Sequence, residues 1–230
     1  MPRLPRIANF DDLDPLAAEP GVDLRMISPG SPLPAEADLV LLVGSKSTIA
    51  DLEAFRAEGW DIDLAAHIRR GGHVLGLCGG YQMLGQTITD AAGLEGPPAS
   101  APGLGHLAVE TTMAPLKHLS QKHGQHPASG TSLTGYEIHI GETTGPDCAR
   151  AWLTFDDKAE GAASPSGRVQ GCYMHGIFSS DAFRRAYLAQ FGVTSSLDFE
   201  SGVEETLDAL ADHVEAYMDV NLFLNLAAPL

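Results

Sequence analysis

The sequence predicts an α/β fold, a doubly wound mixed sheet, largely parallel and flanked by helices. Two observations carry that prediction. ADLVLLV (37–43) and HVLGL (73–77) are short continuous apolar runs, the pattern of strands buried on both faces in the middle of a parallel sheet. Each run ends in a glycine-bearing turn that leads into a helical pattern, so strands and helices alternate along the first half of the chain.

Taken in order, Leu4–Phe10 reads as a first strand and 37–43 as the second. Ile49–Glu58 and Asp61–Arg70 read as helices, the latter closed by Gly71-Gly72 in the manner of a helix C-terminus. His73–Leu77 is a strand, and a helix begins over Tyr81–Thr87. The stretch from Gly93 to Gly105 is rich in Pro, Gly and Ala, and KHLSQKHGQHPASGTS (117–132) is polar, so both read as loops. Leu107–Met113, Thr134–Gly141, Ala151–Phe155 and Arg168–Met174 are expected strands of a mixed or antiparallel extension. Ser180 can cap a helix over Asp181–Phe191. Val203–Met218 is a longer amphipathic helix whose stripe of Leu207, Leu210, Val214 and Tyr217 is expected to pack on the sheet.

Composition bounds the function. The 230 residues, 44% hydrophobic and 19% charged, fit one domain over 1–230 with an ordinary core. Thirty acidic against fourteen basic side chains give a formal charge of −16, which repels phosphate backbones and anionic bilayers, so neither nucleic acid nor membrane is an expected partner. No apolar stretch approaches the roughly 20 residues that span a bilayer, and MPRLPRIANF lacks the apolar core of a secretory signal; the expected location is the cytoplasm. Cys78, Cys148 and Cys172 are an odd, sparse set, expected to stay reduced.

One cysteine stands out by its surroundings. VLGLCGGYQMLG (74–85) sets Cys78 where an apolar strand gives way to glycines and then to a helix, in the G-x-C-x-G spacing of a nucleophile elbow with cysteine in place of serine. Glycines beside the nucleophile permit the tight turn, and the N-terminus of the following helix favours the thiolate. The competing reading is a small buried cysteine beside a close-packed turn.

A nucleophilic thiol needs a base. His67, His73, His106, His118, His123, His126 and His213 lie where solvated or capping roles suffice, and the 118–126 group lacks carboxylate or thiol partners at ligand spacing, so no metal is expected. His175 is the best base: in VQGCYMHGIF (169–178) it sits where a strand gives way to Gly176 and a loop. Strand alternation puts Tyr173 and His175 on one face and Cys172 and Met174 on the other, which makes Cys172 a core residue. The backbone N–H groups of Gly44, in LLVGSKST (41–48), and Gly79 are candidate oxyanion donors. GSKST is not a phosphate loop, because no glycine lies four residues before a G-K-[ST] triplet, so no nucleotide site is expected in this chain.

GLCGGYQ (76–82), GYEIHIG (135–141) and YMHGIF (173–178) together resemble the class I, triad-type glutamine amidotransferase domain, a flavodoxin-like fold. RLPRIANFDDLDPL (3–16) and GSKSTIADL (44–52) are most similar to the branch of that family found in cobyric acid synthase of cobalamin biosynthesis. The resemblance implies a glutaminase. Cys78 would attack the carboxamide of L-glutamine, His175 would carry the proton to departing ammonia, Gln82 would help hold the substrate, and Gly44 and Gly79 would be the oxyanion donors. Ser45, Tyr81, Glu137, His139 and Tyr173 are further pocket candidates. Glu137 and His139 share a strand face opposite Tyr136, Ile138 and Ile140, and either shape the pocket or a partner surface or form the solvated face of a half-buried strand.

Two departures qualify the resemblance. The position two residues after the histidine, where most of the family carries a carboxylate, is Ile177. A Cys–His dyad is then the simpler inference, with a water, a backbone carbonyl or a distant acidic residue left to orient His175. The ATP-dependent synthetase domain that accompanies the glutaminase in that branch has no counterpart here, so the chain is expected to be either an excised half or an independent subunit. It would need no cofactor of its own; ATP and Mg would belong to the synthetase partner, which would amidate a corrinoid acceptor. The alternatives are a glutaminase serving another ATP-dependent amidoligase, such as one amidating a cell-wall precursor, and a non-amidating protein with an elbow cysteine acting as a protease, redox sensor or binding module.

Overall fold

The structure, a computed structural model, describes residues 1–115 and 118–226. It divides at Ser195 into two compact units, so the single domain expected over 1–230 is one large unit, 1–195, followed by a small one, 196–230.

In the large unit, β1 (Ile7–Ala8) leads through a 3-10 turn (Phe10–Leu13) into a single helical turn, α1 (Asp14–Ala17). Next come β2 (Leu39–Leu42), β3 (Gly44–Ser45), α2 (Thr48–Ala57), α3 (Trp60–Arg69), β4 (His73–Leu77) and α4 (Gly79–Leu84). The middle of the chain is built of short strands: β5 (Thr87–Asp90), β6 (Ala99–Pro102), β7 (Glu110–Thr112), β8 (His118–His126), β9 (Thr131–His139) and β10 (Glu142–Thr144). After these follow β11 (Leu153–Phe155), β12 (Lys158–Glu160), β13 (Ala162–Ala163), β14 (Val169–Cys172), β15 (Met174–His175) and α5 (Asp181–Ala189).

The expected parallel sheet is the centre of this unit. β2, β4 and β14 run parallel, with Val40 opposite Val74 and Val74 opposite Val169, and β13 closes the edge antiparallel. Because side chains alternate across a strand, the sheet feeds two cores. Val40, Leu42 and Val74 pack with Leu52, Phe55, Trp60 and Leu64 of α2 and α3 on one face. Leu41, Val43, Leu75 and Leu77 pack with Phe183, Tyr187 and Leu188 of α5 and with Leu13 and Leu16 of the N-terminal segment on the other. Apolar side chains on both faces are what the continuous runs at 37–43 and 73–77 required.

Three expectations change. The first strand shrinks to Ile7–Ala8 and pairs antiparallel with β3 rather than joining the sheet, because Asn9 turns the chain in the left-handed region at φ 52°. The polar stretch 117–132 is no loop: from His118 it forms most of a long hairpin, β8 against β9, within a five-stranded sheet (Lys117 lies outside the described residues). Its polar composition suits an exposed ribbon, in which backbone pairing rather than side-chain burial sets the structure. The Pro- and Gly-rich stretch 93–105 contains β6, an edge strand where Pro102 withholds no needed hydrogen bond.

The small unit is a 19-residue helix, α6 (Phe199–Tyr217), capped by the Asp198 carboxylate on the Ser201 N–H, and a shorter one, α7 (Val220–Leu226). The amphipathic helix expected at 203–218 is thus present, but in a unit of its own. Among the described residues, no helix is long and apolar enough to cross a membrane.

Candidate functional site

Cys78 follows β4 and caps α4 in a conformation that few side-chain-bearing residues adopt, φ 52° and ψ −111°. Such a backbone is strained by about 1–3 kcal/mol and holds the thiol at the tip of the bend. The glycine after next explains how the turn stays tight: a Cβ on Gly80 would stand 2.0 Å from the Leu42 carbonyl oxygen, so α4 can press against β2 only without one. The residue is half-buried, with the Ile138 carbonyl 3.8 Å from its sulfur.

His175 is brought to it by sheet pairing. β14 lies beside β4 with Cys172 opposite Leu77, and the chain then steps into β15, where His175 stands opposite Tyr136 of β9. Cys172 is buried in the core, as strand alternation requires. The imidazole is fully buried. Its Nδ1–H donates to Asp12 Oδ2 at 2.6 Å, and Asp12 Oδ1 accepts the Gly176 N–H at 2.7 Å. Its Nε2 has no hydrogen-bond partner in this arrangement, and Cys78 is close enough to act on its protonation. Burial pushes the imidazole pKa down, but the Asp12 hydrogen bond and then Cys78 reverse that, and it rises to about 10.

Asp12 is the residue that sequence reasoning missed. The dyad inferred from Ile177 gains a third member from the other end of the chain, while Ile177 itself is buried in the core. One signal was present. In FDDLDPL, Asp12 stands beside Leu13 and four residues before Leu16, on the face that both leucines bury. A carboxylate on a buried face needs donors.

Around these three lies a braced polar shell. Gly44 pairs with Ala8 and stands beside the imidazole: a Cβ there would be 3.6 Å from His175 Cε1. Gly79 is the first residue of α4, where N–H groups have no acceptor within the helix. Ser45, expected in the pocket, donates its hydroxyl to Asp51 at 2.7 Å and accepts the Ser47 N–H at 3.0 Å. The Thr48 N–H, opening α2, donates to Glu95 at 2.6 Å.

Gln82 is buried, and its amide is engaged by protein groups: Oε1 accepts from Thr48 Oγ1 at 3.1 Å, and Nε2 donates to the Ile140 carbonyl at 3.1 Å and to the Tyr173 hydroxyl at 3.2 Å. Tyr81 and Tyr173, also expected in the pocket, are core residues packed edge to face. Glu137 pairs with Lys122 at 2.5 Å and with His139 at 2.6 Å, and the His139 ring stacks on Tyr173 at 3.7 Å. That pair is half-buried and occupied by partners, so it is more than a solvated strand face.

A thiol at a strained strand-to-helix turn, an imidazole with a free Nε2 and a carboxylate on its Nδ1 are the chemical groups that a nucleophile, a base and an orienting residue require. Residues 1–183 match the family model of the CobB/CobQ-like glutamine amidotransferase domain. The chain is 57% identical over 230 residues to a cobyric acid synthase of Ruegeria sp., covering 100% of this chain and 48% of that protein. It is 59% identical over 223 residues to one of Cereibacter sphaeroides, covering 96% and 46%. It therefore spans about half the length of these relatives. Among solved structures, it is similar in fold to a glutamine amidotransferase (TM-score 0.61, 16% identity, 81% of this chain and 96% of that one). A second neighbour is PurLQS from Thermotoga maritima (TM-score 0.57, 17% identity, 76% and 84%).

Proposed function

Since the chain belongs to the CobB/CobQ-like glutamine amidotransferase family, we propose that Cys78, His175 and Asp12 carry its glutamine hydrolysis and that it is the glutaminase part of a cobyric acid synthase. The observation that carries the residue assignment is the Asp12–His175 contact beside an elbow cysteine. The Cys78 thiolate attacks the carboxamide carbon of L-glutamine, and the oxyanion that forms is met by the Gly79 N–H with the Gly44 backbone beside it. Protonated at Nε2, His175 gives its proton to the departing amine. Ammonia leaves, and a γ-glutamyl thioester remains on Cys78. Neutral His175 then takes a proton from water, whose oxygen attacks the thioester carbon; glutamate departs and the thiolate–imidazolium pair is restored.

Asp12 keeps Nδ1 protonated throughout and so keeps Nε2 facing the sulfur. Gln82 acts by tying α4 to the Thr48 turn and to the strand end at Ile140, which frames the substrate rather than seizing it. The ammonia is passed to an ATP-dependent synthetase in the cytoplasm, which holds ATP and Mg and amidates carboxylates of a corrinoid. Relatives that share this region at 57–59% identity and are named cobyric acid synthase support that acceptor over a cell-wall precursor.

A glutamine-mimicking electrophile tests the reading. It should add one equivalent to Cys78, seen as a mass shift on the Cys78 peptide, and L-glutamine should protect. Modification of Cys148 or Cys172 instead, or labelling that glutamine does not slow, would overturn it.

A further inference from the structure

The two faces and the edge of the His175 ring are not equally accounted for by the proposed chemistry, on which the following rests. Nδ1 belongs to Asp12, Nε2 has no hydrogen-bond partner, Cys78 acts on the ring's protonation, and Cε1 lies beside Gly44. One ring face is covered by Tyr136, which stacks on the imidazole with centroids 5.3 Å apart and planes 20° from parallel. The contact is built into the sheet, since His175 and Tyr136 stand directly opposite each other in the β9–β15 ladder. It is also tied to the orienting group: the Tyr136 hydroxyl accepts a hydrogen bond from Asn9 Nδ2 at 3.2 Å, and Asn9 is the left-handed residue that turns the chain from β1 into the 3-10 turn bearing Asp12.

We propose that Tyr136 is a positioning residue for glutamine hydrolysis, its ring face stabilising the imidazolium form of His175. An aromatic ring carries negative potential over its face, and a cation stacked there is attracted, most strongly where water is excluded. His175 is fully buried, so this stabilisation is unscreened by solvent. The titratable groups that act on the imidazole are Asp12 from the N-terminal turn and Cys78 from the elbow; Asp12, Asp11 and Cys78 also act on Tyr136. Both carboxylates come from the one segment that Asn9 latches to the ring. Imidazolium is the form that must protonate departing ammonia, so a stacked phenol extends the pH range over which that proton is present.

The test compares Tyr136→Phe, Tyr136→Leu and a variant carrying pentafluorophenylalanine at 136, using the full chain. Two readouts are followed: the basic limb of the kcat/KM profile for glutamine hydrolysis, and the His175 ring titration by NMR. Tyr136→Phe, which keeps the ring and loses only the Asn9 bond, should leave both in place. Tyr136→Leu should move both to lower pH by about one unit or more. Pentafluorophenylalanine, which keeps the shape and reverses the potential of the ring face, should move them at least as far and decides the matter if the leucine variant does not fold. A His175 titration unmoved in the fluorinated variant, or shifted equally by Tyr136→Phe, overturns the proposal. If the wild-type chain hydrolyses no glutamine, the proposed function fails, while the NMR titration still tests the stacking.

Discussion

Asp12 and His175 are separated by 163 positions in the chain and by 2.6 Å between Oδ2 and Nδ1. Both side chains are sealed from water, 4% and 0% exposed, and the second carboxylate oxygen is taken by the Gly176 N–H. Two donors thus fix the carboxylate, and the carboxylate fixes the tautomer. Asp12→Asn keeps the shape but can present an N–H to Nδ1, which moves the proton to Nε2 and leaves no acceptor for the thiol. We expect a fall in kcat/KM of about 10²- to 10⁴-fold with the fold retained. Glutamine hydrolysis measured alongside circular dichroism checks this, and a variant within threefold of wild type would remove Asp12 from the mechanism.

The elbow makes a prediction about stability as well as activity. Cys78→Ala should abolish hydrolysis with little change in melting temperature, because it keeps a Cβ in the same left-handed backbone, φ 52°. Cys78→Gly should be equally inactive but more stable than the alanine variant by about 1 kcal/mol, since glycine adopts that region without strain even after its greater unfolded-state entropy is counted. Urea titration of the two inactive variants isolates the backbone term. Equal midpoints would mean that the turn stores no strain.

Much of this arrangement was legible from local pattern. The strands at 39–42 and 73–77, the glycine turn around Cys78 and the strand end at His175 are each set by residues adjacent in sequence, where period, glycine spacing and burial agree. What was not legible depends on distant pairing. Asp12 is one of three aspartates in seven residues, set apart locally only by its spacing from Leu16, and its role comes from a partner 163 positions away. The part of the hairpin at 118–132 was hidden for a different reason: its polar ribbon lacks the apolar alternation that marks a half-buried strand. Gln82 was expected to help hold the substrate; its buried amide bonds to Thr48, Ile140 and Tyr173 appear only in three dimensions.

A pH dependence of stability follows from His175. Its folded pKa, about 10, lies above the roughly 6.5 of an unfolded histidine. A raised pKa means that the folded state holds the proton more tightly, so this contribution is fully present below about pH 6.5 and is lost as pH rises toward 10. The wild-type advantage over Asp12→Asn, which removes the group that raises this pKa most, should therefore shrink steadily between pH 7 and 10 in thermal melts. A difference that stays flat over that interval would show that His175 is not held as imidazolium.

The segment that carries Asp12 is itself anchored by a buried ion pair, and this gives the last prediction. Glu19, seven residues after Asp12, accepts from Arg184 Nε at 2.6 Å and from Ser195 Oγ at 2.5 Å, while Arg184 also donates to the Phe178 carbonyl at 2.8 Å and to Asp181 at 2.5 Å. Both members of the pair are fully buried. Desolvation makes such a pair a weak source of net stability, yet removing one partner strands a charge, at a cost of about 3–5 kcal/mol. Arg184→Met should therefore lower stability by that amount, and Glu19→Leu combined with it should restore most of the loss, because the double variant buries no unpaired charge. The two variants separate anchoring from stability. If the pair only stabilises the fold, the restored double variant hydrolyses glutamine like wild type; if it also sets the Asp12 segment against the His175 loop, kcat stays depressed at wild-type melting temperature. We expect the second result, since Arg184 binds the carbonyl of Phe178, three residues after His175, and Glu19 holds the other side of the same contact.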